Sequence, residues 1–403
     1  MKRKGLLIPL GIILLAVVSA PARLLTGQTS KSLNDELASI VSSSAGADKP
    51  VKNDVLYVAK GDGSFTWSGA AGYADPVNKV HMTADTPIYI ASVTKLYTAT
   101  VIMILYERGQ LSLDDPMAKY LPDELIRGIQ VCEGHDYSRE ITIAQLLAQT
   151  SGIPDYYDER ARDGKTLLDL LLADPDRAWT VDETIARARD EMTPRSKPGD
   201  KAFYSDTNYQ LLGKIIEART GKPLEAVFEE SLFRRLGLKH TWLVGRSQPL
   251  ERPAAAVAQV FLKDANISGI RAKTVYWADG GIVSTARECV AFLRALNLGR
   301  IIKSETLAKM HQWRPLSNPG MPFLYGYGTM AFVPPSSPNA TAKAPAVWGA
   351  SGSTGSFLYY SRDLDLYMAG TTNQVNDKFT PIVMMNRAMK AFQNQKERSR
   401  EPE

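Results

Sequence analysis

The sequence predicts an α+β fold: one antiparallel sheet built from strands at both ends of the chain, with flanking helices and a mainly helical inserted lobe. Two observations carry this. Strand-like stretches gather near the N-terminus and again near the C-terminus. Between them, apolar residues recur at helical rather than alternating spacing.

The elements follow in order. Residues 1–20 read as an export signal: Lys2-Arg3-Lys4 is a basic start, Gly5 to Val18 is apolar, and Val18-Ser19-Ala20 offers small residues for cleavage. Pro21 suits cleavage badly there, so Ala20-Pro21-Ala22 is an alternative site. Anchoring in the inner membrane by residues 5–20 is the other reading, although roughly 20 apolar residues are usual for a span. Either way the body is expected outside the cytoplasm, in the periplasm or cell envelope. No cysteine near this segment could take a lipid. Residues 21–49 read as a linker carrying a short helix, Leu33 to Val41.

The main domain is expected over 50–395. Val55-Leu56-Tyr57-Val58 and Phe65-Thr66-Trp67-Ser68 flank the turn Gly61-Asp62-Gly63 and predict a hairpin. Asp85 to Ile90 reads as extended chain, and Lys95 to Arg108 as a helix that stops at Gly109. Further helices are expected over Ile141–Gln149, Leu167–Leu172, Val181–Met192, Tyr209–Thr220, Leu224–Leu236 and Thr285–Leu296, with Gly221-Lys222-Pro223 as a break. Strands return at Gly328–Val333, Ala346–Trp348, Ser356–Ser361 and Leu364–Thr371, and Pro334–Pro345 reads as a surface loop. A last helix, about Pro381 to Phe392, precedes a polar tail over 396–403.

Composition excludes some functions. The chain has 403 residues, 44% hydrophobic and 23% charged, which is ordinary for a globular protein. Its net charge is +5, three of it from Lys2, Arg3 and Lys4, which leaves no basic footprint for nucleic acid. His81, His135, His240 and His311 are scattered and form no metal pattern. Cys132 and Cys289 could pair in an exported protein, but Cys289 sits in a helix and could equally be a small core residue.

The chemistry centres on Ser92-Val93-Thr94-Lys95. A serine and a lysine three apart share a helix face. At the N-terminus of a helix, free N–H groups favour a serine nucleophile and its oxyanion. Lys95 one turn on could take the hydroxyl proton if its own charge is suppressed. Alone, the motif is weak. Two later stretches add to it. Tyr204-Ser205-Asp206 offers a tyrosine that could act as a base if a nearby ammonium lowers its pKa; packing at a helix entrance with Asp206 as cap is the alternative. Trp348 to Phe357 is rich in glycine and serine, so a substrate backbone could approach closely, with Ser353 N–H joining that of Ser92.

Taken together, these three stretches resemble the serine β-lactamase and penicillin-recognising hydrolase family, in the branch of class C β-lactamases, D-Ala-D-Ala carboxypeptidases and esterases. The resemblance runs over about residues 50–395 and includes Ile141–Pro154 and Ala278–Ala286. It implies a β-lactamase/DD-peptidase-like fold, Ser92 as the acylated nucleophile, Lys95 as its proton partner and Tyr204 as shared base and acid. The N–H groups of Ser92 and Ser353 would hold the oxyanion, and Asp206, Ala350, Ser351 and Gly352 would meet the substrate. No metal or cofactor is implied. A monomer acting on a small ester, β-lactam or short peptide is expected.

Two positions depart from the family. Asp206 stands where asparagine is usual, so it cannot donate an N–H to a substrate carbonyl and would hold Lys95 in its charged form. Aligned on Gly352, Ala350 stands where a lysine or histidine would meet a substrate carboxylate, while Ser351 keeps a hydroxyl. In an alternative register, Trp348-Gly349-Ala350 is the element, as in the esterase branch. Both departures favour an esterase or an unusual peptide substrate over an efficient β-lactamase. A catalytically weak sensor of penicillins or cell-wall fragments is the alternative function. An α/β-hydrolase fails because Gly349-Ala350-Ser351-Gly352-Ser353 lacks the last glycine of its elbow motif. A P-loop fails because Glu159 replaces its first glycine.

Overall fold

The computed structural model describes residues 32–46, 49–269, 275–318, 323–332, 346–375, 377 and 379–398. The candidate export segment 1–20 and the expected loop Pro334–Pro345 lie outside the described residues. No helix among the described residues is long and apolar enough to cross a membrane.

The predicted sheet is present, with strands β1 (Asn53–Lys60), β2 (Thr66–Asp75), β3 (Val80–His81), β4 (Arg314–Pro315), β5 (Leu324–Tyr325), β6 (Met330–Phe332), β7 (Val347–Ser351), β8 (Phe357–Ser361) and β9 (Leu366–Thr371). Their spatial order is β4-β5-β6-β7-β8-β9-β1-β2-β3, antiparallel throughout. The N-terminal hairpin therefore joins the C-terminal meander through β1 and β9, with Val55 opposite Thr371 and Lys60 opposite Leu366. β1 is buried along nearly its whole length, which explains why Val55-Leu56-Tyr57-Val58 is continuously apolar rather than alternating.

Helices α1 (Leu33–Ser44), α2 (Thr94–Glu107), α3 (Asp206–Thr220), α4 (Ala286–Asn297) and α5 (Thr380–Arg398) supply most of the packing around the sheet and site. α1 corrects the expected boundary at residue 50. Its Leu37, Ile40 and Val41 share a face, are buried, and pack it against α5 and β2 as part of the body rather than as a linker. α5 likewise runs to Arg398, into what reads as a tail.

The insert between β3 and β4 is mainly helical, as expected. Thr142, Thr166 and Thr180 each close a capping box at the start of a short helix. Tyr156, Leu167, Leu171, Trp179 and Met192 form a second apolar core beneath this lobe. The two cysteines are free: Cys289 is buried on α4 and Cys132 is partly exposed in a short hairpin. Burial pushes the Cys289 thiol up to about 12, so it behaves as a small core residue.

Candidate active site

Ser92 lies in the 3-10 turn Ala91–Val93 that leads directly into α2. A short three-stranded sheet of Ile88–Tyr89, Ile282–Ser284 and Trp242–Leu243 fixes the approach. Ala91, just before Ser92, holds φ at 44°, a left-handed conformation that costs a residue with a Cβ. Gly352 is packed against it. A Cβ on Gly352 would stand 2.6 Å from Ile90 O and 2.9 Å from Ala91 Cβ. Only glycine lets β7 come this close to the turn that carries Ser92.

The glycine-rich stretch is clamped to the same strand end. Thr354 Oγ1 donates to Tyr89 O at 2.9 Å, and Ser356 Oγ donates to Ile90 O at 2.7 Å. Ser353 thus lines one pocket together with Ser92 and Asp206. Among the described residues it has no hydrogen-bond partner, so its N–H is free to receive a ligand oxygen.

Lys95 is almost wholly buried, and its Nζ has three acceptors. It donates to Ser92 Oγ at 3.0 Å, to Asp279 O at 2.8 Å and to Asp206 Oδ1 in a tight ion pair. All three N–H bonds of an ammonium are thereby used. Burial works to lower the Lys95 pKa, but the Asp206 and Asp279 carboxylates and Tyr325 outweigh it and hold the pKa above its ordinary value. The charge-suppressed lysine that a simple base would need is therefore not what this resting site contains.

Tyr204 precedes α3. Ser205 is the N-cap of that helix, and Asp206 is its first residue, with its carboxylate on Lys95 rather than on the helix terminus. Tyr204 is buried; its backbone N–H donates to Asn318 Oδ1 at 2.6 Å, and its ring lies 4.9 Å from Lys95 Nζ. The expectation that the ammonium lowers its pKa does not hold. Burial, then the charge of Asp206 and the neighbouring Tyr325, raise the phenol well above its usual value, against a hydrogen bond with Ser92 that lowers it. Tyr204 is neutral in the resting site.

The remaining expected substrate contacts are less close. Ala350 is buried on β7, two residues before Gly352, and neither of the two lines the Ser92 pocket. Ser351 points the other way: its hydroxyl pairs with Tyr359 OH at 2.8 Å and does not line the Ser92 pocket. The alternation of a strand forces this once Gly352 faces Ala91. In the alternative register Trp348 would be in the element, yet it packs on His311, with ring centroids 4.4 Å apart.

Two buried carboxylates were not singled out by the sequence. Asp279 gives its backbone oxygen to Lys95, while its side chain accepts from Tyr156 OH at 2.6 Å and from Trp277 N at 3.0 Å. Burial and the Asp206 charge push it up to about 6, against the pull of Lys95. Asp155 accepts from the backbone N–H groups of Asp206 and Tyr157, each at 3.1 Å, and burial with the Asp206 charge raises it well above the carboxylate range. Both lie in or beside the two connecting stretches that carry the family resemblance, which was the available signal. The pocket beside Ser92 holds about 680 Å³ of open space, its mouth included. Tyr157, Val244, Val260, Ile267, Tyr276 and Val375 give it an apolar wall, and Asp206 and Asp279 also line it.

A family model described as Beta-lactamase matches residues 53–384. A putative D-alanyl-D-alanine carboxypeptidase of Escherichia coli (strain K12) is 35% identical over 181 residues, 43% of this chain and 38% of that protein. The chain thus spans less than half the length of the curated relatives it matches. The crystal structure of a D-stereospecific amidohydrolase from Streptomyces sp. superposes with a TM-score of 0.70 at 28% identity, covering 87% of this chain and 97% of that one. A D-amino acid amidase from Ochrobactrum anthropi SV3 shares the fold with a TM-score of 0.71 at 24% identity, over 90% of this chain and 99% of that one. Since the match spans β7, the turn that carries Ser92 and the helix that carries Lys95, this chain belongs to the beta-lactamase family.

Proposed function

We propose that this protein is a serine hydrolase that cleaves a small amide or ester through an acyl-enzyme on Ser92. One observation carries the reading: Lys95 Nζ stands 3.0 Å from Ser92 Oγ in a buried site, beside a pocket that Ser353 also lines. Ser92 Oγ attacks the carbonyl, and the N–H groups of Ser92 and Ser353 receive the oxygen as it becomes negative. The serine proton cannot rest on an ammonium, nor on a phenol of raised pKa. It is passed on: Tyr204 accepts it while giving its own proton to the departing nitrogen or oxygen. The C–N or C–O bond breaks, and the acyl group stays on Ser92. Water then attacks the ester by the reverse route, and the acid leaves. Lys95 stabilises the developing charge on Oγ and Tyr204.

Efficient penicillin hydrolysis is not part of the proposal. Ala350 brings no cation to a substrate carboxylate, and a charge-assisted hydrogen bond there is worth about 1.5–3 kcal/mol. Action outside the cytoplasm is also proposed, on the export-like pattern of residues 1–20. The test is intact-mass spectrometry after incubation with p-nitrophenyl acetate. A single acetyl adduct that Ser92→Ala abolishes is expected. Absence of any adduct, with this ester and with a penicillin, would favour a binding protein for cell-wall fragments instead.

A further inference from the structure

We infer that the pocket selects substrates carrying an ammonium group one carbon from the scissile carbonyl, and that Asp206 is the residue that selects them. The inference rests on the hydrolase reading above and names the substrate class of that same site.

Position is the first argument. Asp206 Oδ1 is bound to Lys95 Nζ, and that nitrogen is 3.0 Å from Ser92 Oγ. The carboxylate is therefore within about two residues' length of the carbon that Ser92 attacks. A carboxylate has two oxygens and room for about four hydrogen bonds, so the contact with Lys95 leaves acceptor capacity. The side chain keeps 9% of its surface open, and Asp206 lines the pocket.

Charge is the second. Lys95 is the one cation in contact with Asp206 among the described residues, and the Asp279 carboxylate shares it. Two carboxylates thus face one cation in a poorly solvated place. An incoming ammonium offsets the second carboxylate; an incoming carboxylate adds a third. Ala350 supplies no cation that would reverse that preference.

The third is shape. The apolar wall of Val244, Val260, Ile267 and Val375 suits a hydrocarbon side chain on the same carbon as the ammonium. Amides and esters of apolar amino acids with a free amine meet both requirements.

The test compares three p-nitroanilides that differ only at that carbon: phenylalanine (both enantiomers), its N-acetyl derivative and the des-amino 3-phenylpropanoyl compound. For whichever enantiomer is cleaved, kcat/KM should exceed that of the other two compounds by about ten- to hundredfold. Asp206→Asn should cut this ratio to within about threefold, the ratio cancelling any common loss of turnover. Equal cleavage of all three compounds, or an unchanged ratio in the variant, overturns the inference. If the variant does not fold, the wild type still decides: 2-phenylethylamine should inhibit competitively and 3-phenylpropanoate should not, and the reverse order sinks the idea. Acetylation of Ser92 by p-nitrophenyl acetate separates the two claims. Adduct formation without amine preference removes only the ammonium site, whereas failure to acylate with any donor removes the hydrolase reading.

Discussion

Asp206 and Lys95, 111 residues apart in sequence, form a buried ion pair on the nitrogen that also donates to Ser92 Oγ. The pair fixes the resting protonation state. Lys95 stays an ammonium, and burial together with the Asp206 charge keeps the Tyr204 phenol protonated. The site is thus organised to hand a proton along rather than to store a strong base.

Tyr204 carries that hand-over in the proposed mechanism. Tyr204→Phe removes the hydroxyl but keeps the ring against Tyr325, so folding should be little changed. Turnover should fall at least about a hundredfold, the range for loss of positioned proton transfer. Steady-state kinetics with an anilide substrate measure this. Wild-type-like turnover would take Tyr204 out of the mechanism.

Ala350 tests the carboxylate argument. It lies two residues before Gly352, which packs against the turn that carries Ser92. Ala350→Lys should raise the rate of Ser92 acylation by benzylpenicillin about tenfold or more. The site is buried, so overpacking is expected to cost about 1–3 kcal/mol of stability, visible as a lower Tm. An unchanged acylation rate in a folded variant would show that residue 350 does not meet the carboxylate.

Asp54 sets a pH dependence of stability away from the active site. It is fully buried on β1, and Ser44 Oγ donates to its Oδ2. Burial pushes it up to about 7, against the Ser44 hydroxyl, the Ala71 backbone and Lys49. Unfolded, it would titrate near its ordinary value of 3.8. The folded state therefore binds more protons between those values, and stability falls as pH rises from about 4 to about 7. Asp54→Asn keeps the shape and an acceptor for Ser44 without the buried charge. Its variant should be more stable than wild type by roughly 2–4 kcal/mol at pH 8, with the advantage shrinking toward pH 5. Urea unfolding at the two pH values reads it; a constant difference would mean Asp54 is ionised at both.

Local pattern made much of this protein legible. The helical spacing after Lys95 puts Ser92 and Lys95 on one face, because i and i+3 are neighbours on any α-helix. The strands near both ends, the Gly221-Lys222-Pro223 break and the capped helices of the insert are also local signals, and each appears where the residues predict it. Leu33–Ser44 was harder. Its apolar face is short, and only its partner α5 shows that it belongs to the packed body.

What the tertiary structure decided is the electrostatics. The Asp279 carbonyl reaches Lys95 from 184 residues away, and Asp206 from 111. The direction of the Tyr204 shift, the turning of Ser351 onto Tyr359 and the shared charge around Lys95 all follow from which groups are buried together. No periodicity records that, because Coulomb forces and desolvation depend on distance and burial, not on order along the chain. The sequence alone put Ser92 and Lys95 side by side; only the fold decided that the lysine is held charged, and by which carboxylates.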